Sequence, residues 1–163
     1  MMKMVVYPHQ GVGPLRFGMT RAETERAVGM TPKRFVPNKY ALEIDSFKEL
    51  GLAVMYDQSG HSNAISFVRG FCVDLEYDGY RLFGHPAREV RAWALAKDPQ
   101  LDPKDGFTSK ALGLEMWADW IDESDLEPEM LVDSGMSFII FRPGYYEEEQ
   151  ARMVAAGLVP EGS

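Results

Sequence analysis

The sequence predicts an α+β fold built as a tandem repeat of a helix plus antiparallel strands, with one continuous antiparallel sheet and helices packed on one face. Three observations predict it. A strand-to-helix corner at residues 11–29 carries a full set of helix signals. Its plan recurs once, later in the chain. Strand-like stretches with alternating apolar residues follow each predicted helix in the order of a meander.

The corner begins with a short apolar strand that ends at Gly18, directly before a helix. Thr20 is the expected N-cap, because its hydroxyl can accept from the amide three residues on while Glu23 reaches back to the amide of Thr20. Gly29 is placed to end this helix in a left-handed conformation. These residues therefore define a strand-to-helix connection, and none of them indicates a catalytic role.

The repeat is visible when the chain is aligned with itself. Residues 13–18 align with 79–84, and residues 49–57 align with 111–119 in the same order. Two ordered matches in similar structural contexts favour a duplicated unit that is too small to bury its own apolar face alone. The predicted organisation is a first repeat at 1–70, a second at 71–144, and a C-terminal helix with a disordered tail at 145–163.

In the first repeat, a short strand at 5–7 ends at Pro8, and the first helix covers 21–28. Residues 30–38 contain Pro32 and Pro37 and are predicted to be a loop. Three antiparallel strands follow, at 41–47, 50–57 and 64–69, the last two joined by a polar turn. Ser59 and His61 lie in this turn, where no residue is placed to orient them, so a catalytic role is rejected.

In the second repeat, alternation places Val73 and Leu75 on one face of a strand at 71–78 and Asp74 and Glu76 on the other. The second helix begins near Pro86 and ends near Lys97. Further strands are predicted at 107–111, 112–120, 131–132 and 137–142, followed by the last helix at 145–156.

A surface for binding a partner is expected on the face of the sheet that the helices leave open. Leu52 and Val54, with their counterparts in the second repeat, should point at the helices, so the alternate residues point away. An acidic loop after residue 120 adds further carboxylates. Amphipathic anchors among polar groups are typical of protein-binding surfaces. The candidate partner-binding residues are Met55, Asp74, Glu76, Glu115, Trp117, Asp122, Glu123 and Asp125, unless the C-terminal helix covers Trp117.

Composition limits the classes of function. A formal net charge of −8 over 163 residues argues against nucleic acid and is compatible with a basic protein partner. No stretch is long enough to span a membrane, and the apolar residues before Pro8 are too few for the core of a signal peptide. The single cysteine, Cys72, cannot form an intramolecular disulfide, so a cytoplasmic location is expected. No cofactor or metal is expected, since the acidic residues at 98–105 lack calcium-loop spacing and the glycines at 11–13 precede a strand.

The stretch from Gly11 to Glu23, with its Gly-Met-Thr-x-x-Glu helix start, resembles a group of small bacterial proteins in which this start precedes an antiparallel sheet. The group includes the β-lactamase-inhibitor protein, itself a tandem repeat, and outer-membrane assembly lipoproteins of the SmpA/OmlA type. The chain is also similar to small acidic immunity proteins that accompany bacterial toxins. It lacks the paired cysteines and lipidation cysteine of the two named relatives, so no inhibitory residues are transferred. The resemblance implies the fold and a binding function.

Three hypotheses about function follow. The first is a non-catalytic, inhibitor-like or immunity protein that occludes a basic partner through the acidic, Trp-containing face. The second is a structural or small-ligand-binding accessory protein. The third, the least favoured, is a hydrolase that uses paired carboxylates from Asp119, Asp122, Glu123 and Asp125.

Overall fold

The computed structural model describes residues 2–70, 73–118 and 135–160. Within them the chain is α+β, with three α-helices and two β-sheets. The strands are β1 Met2–Tyr7, β2 Gly11–Val12, β3 Leu15–Arg16, β4 Lys33–Phe35, β5 Ile44–Phe47, β6 Leu52–Tyr56, β7 Ser62–Val68, β8 Val73–Tyr77, β9 Tyr80–Arg81, β10 Gly106–Ser109, β11 Leu114–Trp117 and β12 Ser137–Phe141. The helices are α1 Arg21–Val28, α2 Ala87–Lys97 and α3 Tyr145–Ala155.

The larger sheet contains the meanders of both halves of the chain. Its strand order is β10-β11-β12-β7-β6-β5-β4, and every neighbouring pair is antiparallel. The meander β5-β6-β7 thus meets the meander β12-β11-β10 at the central β7–β12 pair. Leu52, Val54, Leu114 and Met116 are buried on one face, as the alternation predicts. The division into repeats at 1–70 and 71–144 stays a prediction.

The prediction of one continuous sheet is wrong, because the leading strands of the two halves form a second, five-stranded mixed sheet. Its order is β3-β2-β1-β8-β9, with β1 and β8 parallel and Met4 opposite Leu75. β1 and β8 each bury alternate side chains, and they hydrogen-bond to each other instead of joining the meanders. Their buried side chains, such as Val6 and Tyr77, enter the same core cluster as those of the larger sheet. The two sheets therefore lie on either side of a shared core.

The first two helices pack on the core side of the larger sheet. α1 has the predicted capping box at Thr20 and ends at Gly29 in a left-handed conformation. Its Arg21 guanidinium lies 4.2 Å from the centre of the Tyr56 ring and 3.3 Å from the Asp45 carboxylate. α2 buries Ala87, Val90 and Ala94 in the core. Both positions agree with the sequence-based expectation.

The third helix departs from the expectation that all helices share one face. α3 packs on the other side of the larger sheet, where the rings of Tyr145 and Tyr146 lie 5.9 and 4.9 Å from that of Phe141. Phe141 follows Ile140 in β12, and both are buried, so this end of the strand is covered on both faces. The reason is the apolar surface that Phe141 presents away from the core.

The edge of the larger sheet also differs from the prediction. β4 lies within the predicted loop at 30–38 and pairs with β5 at the edge of the larger sheet. The predicted strand at 131–132 and the residues 161–163 of the predicted tail lie outside the described residues. Among the helices of the described residues, none has the length and apolar character needed to cross a membrane.

Candidate protein-binding surface

The outer face of the larger sheet, which points away from the core, is divided into a covered part and an open part. Register places Ala53, Ser66, Ile139 and Glu115 in one row across four strands, and Val68, Ser137 and Trp117 in the next row. Trp117 and Val68 are 46% and 42% exposed. We define the open strip as these rows without Glu115, which contacts α3, and its members are all partly or largely exposed: Ala53, Ser66, Val68, Trp117, Ser137 and Ile139.

The covered part lies under α3. Ala64 and Phe141 are 0% and 3% exposed, and the hydroxyl of Tyr145 lies 3.9 Å from the Met55 sulfur. Met55, a predicted partner-binding residue, is therefore half-buried beneath this helix and does not belong to the open strip. Trp117 stays exposed, so the alternative in which the C-terminal helix covers it is wrong.

Glu115 marks the border between the two parts. Its carboxylate accepts a hydrogen bond from the hydroxyl of Tyr146 on α3. Burial raises the pKa of Glu115, and the hydrogen bond from Tyr146 opposes that shift. Burial also raises the pKa of Tyr146, and so does the contact with Glu115. Glu115 thus links α3 to the sheet, and the contact with Tyr146 engages its carboxylate.

Asp74 and Glu76 do not share a surface with Trp117, contrary to the expectation. Both lie on β8 of the smaller sheet, on the face that points away from the shared core. Each is paired within that sheet: Asp74 lies 3.1 Å from Nε of Arg81, and Glu76 lies 3.2 Å from Nζ of Lys3. The expectation failed because it placed all strands in one sheet.

Three of the candidate residues, Asp122, Glu123 and Asp125, lie outside the described residues, as does Asp119 of the hydrolase hypothesis. They belong to the segment 119–134, which contains seven Asp or Glu residues and no Lys, Arg or His. This segment connects β11, which ends at Trp117, to β12, which begins at Ser137. The sequence therefore attaches most of the chain's excess negative charge to β11 and β12, two of the four strands that carry the open strip.

The open strip provides contact area for a partner, and its side chains are mostly apolar or small. Strands in a sheet are about 4.8 Å apart, so Val68 and Trp117, two strands from each other, lie roughly 10 Å apart with Ser137 between them. No cluster of three or more His, Cys, Asp or Glu suited to a metal ion occurs in the part of the chain that the structure describes. An aromatic and a branched aliphatic side chain on a flat, partly polar face can anchor a protein partner.

Sequence reasoning missed Ser66, Val68, Ser137 and Ile139 as members of this surface. The alternation of β7 and β12 contained the signal, because residues opposite Trp117 and Glu115 in an antiparallel register share their face. To read this signal one must know that β7 pairs with β12. This pairing joins the two halves of the chain, and no pattern among neighbouring residues in the sequence indicates it.

Comparison of the chain with known protein families, with curated proteins and with solved structures gives no match. The class of protein that the fold and the surface define is an α+β protein whose antiparallel sheet has a partly open outer face.

Proposed function

We propose that this protein is a non-catalytic protein-binding module of the inhibitor or immunity type, and that it occludes a basic partner with the open strip. The observation that carries the proposal is the exposure of Trp117 and Val68 in one row of a sheet face that α3 covers only in part. A helix that covers only part of a face leaves the rest available to a partner.

The anchor has enough exposed area to matter. With Trp117 46% exposed, a partner that covers it removes roughly 115 Å² from water, about 3 kcal/mol at 25 cal/mol per Å². Tryptophans that contribute 2 kcal/mol or more are typical of the few residues that dominate interface energetics. Trp117 is therefore the residue whose truncation should weaken the complex most.

The preference for a basic partner rests on charge. The chain carries 25 acidic and 17 basic residues, and the acidic segment 119–134 joins β11 and β12, which carry Trp117 and Ser137 of the strip. Complementary charge increases the association rate, and salt screens it over about 10 Å at 0.1 M. The affinity for the partner should accordingly fall as the salt concentration rises.

The test compares two exposed apolar residues on different surfaces. The full chain, immobilised, captures proteins from a lysate of its own source cells in three forms: wild type, Trp117→Ser, and Leu95→Ser. Leu95 is the matched control, because it lies on α2 and is 49% exposed. A partner retained by wild type and the control is then purified and titrated calorimetrically at low and high salt.

We expect Trp117→Ser to weaken the purified complex by about 30-fold or more, the equivalent of about 2 kcal/mol, with Leu95→Ser unchanged. We also expect a basic partner and a salt-dependent affinity. Equal affinities of the Trp117→Ser variant and wild type would exclude the open strip as the docking surface. An acidic partner, or binding unaffected by salt, would exclude the electrostatic part of the proposal.

A further inference from the structure

A cleft separate from the open strip lies between the N-terminal part of β7 and α3. It has a volume of about 430 Å³, and its walls include Asp57, Asn63, Arg142, Glu149 and Arg152. A cavity of this size holds a molecule of amino-acid dimensions, since one water occupies about 30 Å³ of liquid.

A β-bulge places a polar residue, Asn63, in the wall of this cleft. The β6–β7 register changes so that Met55 faces Ala64 while Tyr56 faces Ser62, which leaves Asn63 as the extra residue. Bulges often redirect a side chain and occur frequently beside functional sites. The peptide oxygen of Asn63 accepts from the amide of Arg142 at 3.1 Å, which fixes its position beside the cleft.

The side chain of Asn63 lacks a partner that its burial requires. Asn63 is 1% exposed, and its Oδ1 is buried with no hydrogen-bond partner in the described part of the chain. Nε of Arg152, on the same cleft, is likewise buried without one among the described residues. A buried polar atom without a partner costs about 1–3 kcal/mol, so these two atoms favour a ligand that accepts one hydrogen bond and donates another.

The charges of the cleft select the kind of ligand. Arg142 is bound by Asp57 and Glu148, each at 2.9 Å, and Arg152 is bound by Glu149 at 2.8 Å. The carboxylates outnumber the guanidinium groups by one, and both guanidinium groups are already paired. An added carboxylate or phosphate would meet like charge, whereas a single ammonium group would balance the excess.

The carboxylate nearest the turn is held in its ionised form. Burial alone would raise the pKa of Asp57, but hydrogen bonds from the amides of His61 and Ser59 and the contact with Arg142 outweigh it and lower the pKa. The negative charge of the cleft is therefore present at neutral pH.

We propose that this cleft binds a small ammonium compound that has a neutral carbonyl group and no carboxylate, such as an amino-acid amide. On binding, the Asn63 and Arg152 side chains turn toward the cleft, so that Asn63 Oδ1 accepts from the ammonium group and Arg152 Nε donates to the carbonyl oxygen. This site is independent of the protein-binding proposal, because its residues lie outside the open strip.

The test uses three probes with ¹H–¹⁵N NMR titration of the full chain. Alaninamide has the ammonium and the amide, alanine replaces the amide by a carboxylate, and N-acetylalaninamide lacks the ammonium. We expect alaninamide to shift the signals of Asn63 and of Ala151 and Ala155 on α3, and to bind at least tenfold more tightly than the other two. Equal or tighter binding of alanine or of N-acetylalaninamide, or no shift at these residues, would overturn the proposal.

Variants then separate the site from a general effect of charge. Asn63→Leu should reduce the affinity for alaninamide at least tenfold, and its fold is checked by thermal unfolding. Glu149→Gln removes the excess negative charge of the cleft and should reduce the affinity for alaninamide several-fold. Glu147→Gln is the matched control, because Glu147 lies on the same helix, pairs with Lys110 and does not line the cleft. If Glu149→Gln and Glu147→Gln reduced the affinity equally, the ligand would not bind in this cleft.

Discussion

Replacing Asp45 with asparagine should destabilise the protein more than any other loss of a single charge among the described ion pairs. The Asp45 side chain is fully buried on β5 and holds three elements together. It accepts from Nε of Arg34 on β4 at 2.8 Å, from Arg21 on α1 at 3.3 Å, and from the Tyr56 hydroxyl on β6 at 2.7 Å. Asparagine keeps the shape and removes the charge.

The magnitude follows from the exposure of the partners. Removing one partner of a fully buried ion pair costs about 3–5 kcal/mol, because a buried charge remains uncompensated. Here Arg21 and Arg34 are 27% and 41% exposed and can be hydrated in the variant, which lowers the cost. The buried Tyr56 hydroxyl loses a charged acceptor, a bond worth about 1.5–3 kcal/mol. We therefore expect a loss of about 3 kcal/mol, or roughly 6–12 °C in Tm for a chain of this size.

The assay is urea unfolding at pH 7, with thermal unfolding as a second measurement. Asp74→Asn is the matched control, because Asp74 forms a single ion pair with an Arg81 side chain that is 60% exposed. The control should change the free energy of unfolding by no more than about 0.5 kcal/mol. If Asp45→Asn unfolds at the same urea concentration as the control, the buried carboxylate does not hold these elements together.

Two further predictions concern the larger sheet. Because burial raises the pKa of Glu115, the wild type should lose stability as pH rises above the ordinary value of 4.5 and through the raised value of the folded state. The free energy of unfolding of Glu115→Gln relative to wild type should therefore increase from about pH 4 to pH 7, and a difference independent of pH would contradict it. Gly106→Ala should cost roughly 3 kcal/mol, since its Cβ would lie 2.1 Å from the Met116 carbonyl oxygen. Gly18→Ala, also at a positive φ but with no atom within 4 Å of a Cβ, should cost only about 1 kcal/mol in urea unfolding, and equal losses would refute the clash.

Local chemistry accounts for what the sequence could predict of the fold. Thr20, Glu23 and Gly29 lie within one helix and its caps, so the bounds of α1 follow from residues that are neighbours in the chain. Period-two alternation likewise places Leu114 and Met116 inward and Trp117 outward, because the pleat alone decides the face.

Long-range pairing accounts for what could not be predicted. The parallel β1–β8 pair joins residues about 70 positions apart, and no local pattern distinguishes it from pairing with a meander. The same error assigned Asp74 and Glu76 to the face of Trp117. The position of α3 had a readable signal in Ile140 and Phe141, two consecutive large apolar residues that indicate a strand end covered on both faces.

Hydroxyl-radical labelling of the purified complex tests the docking surface most directly. In the free protein Trp117, Val68 and Leu95 are all exposed and should all be labelled. In the complex, labelling of Trp117 and Val68 should fall, and that of Leu95 should stay the same. Unchanged labelling of Trp117 and Val68 in the complex, or protection of Leu95 alone, would contradict a partner seated on the open strip.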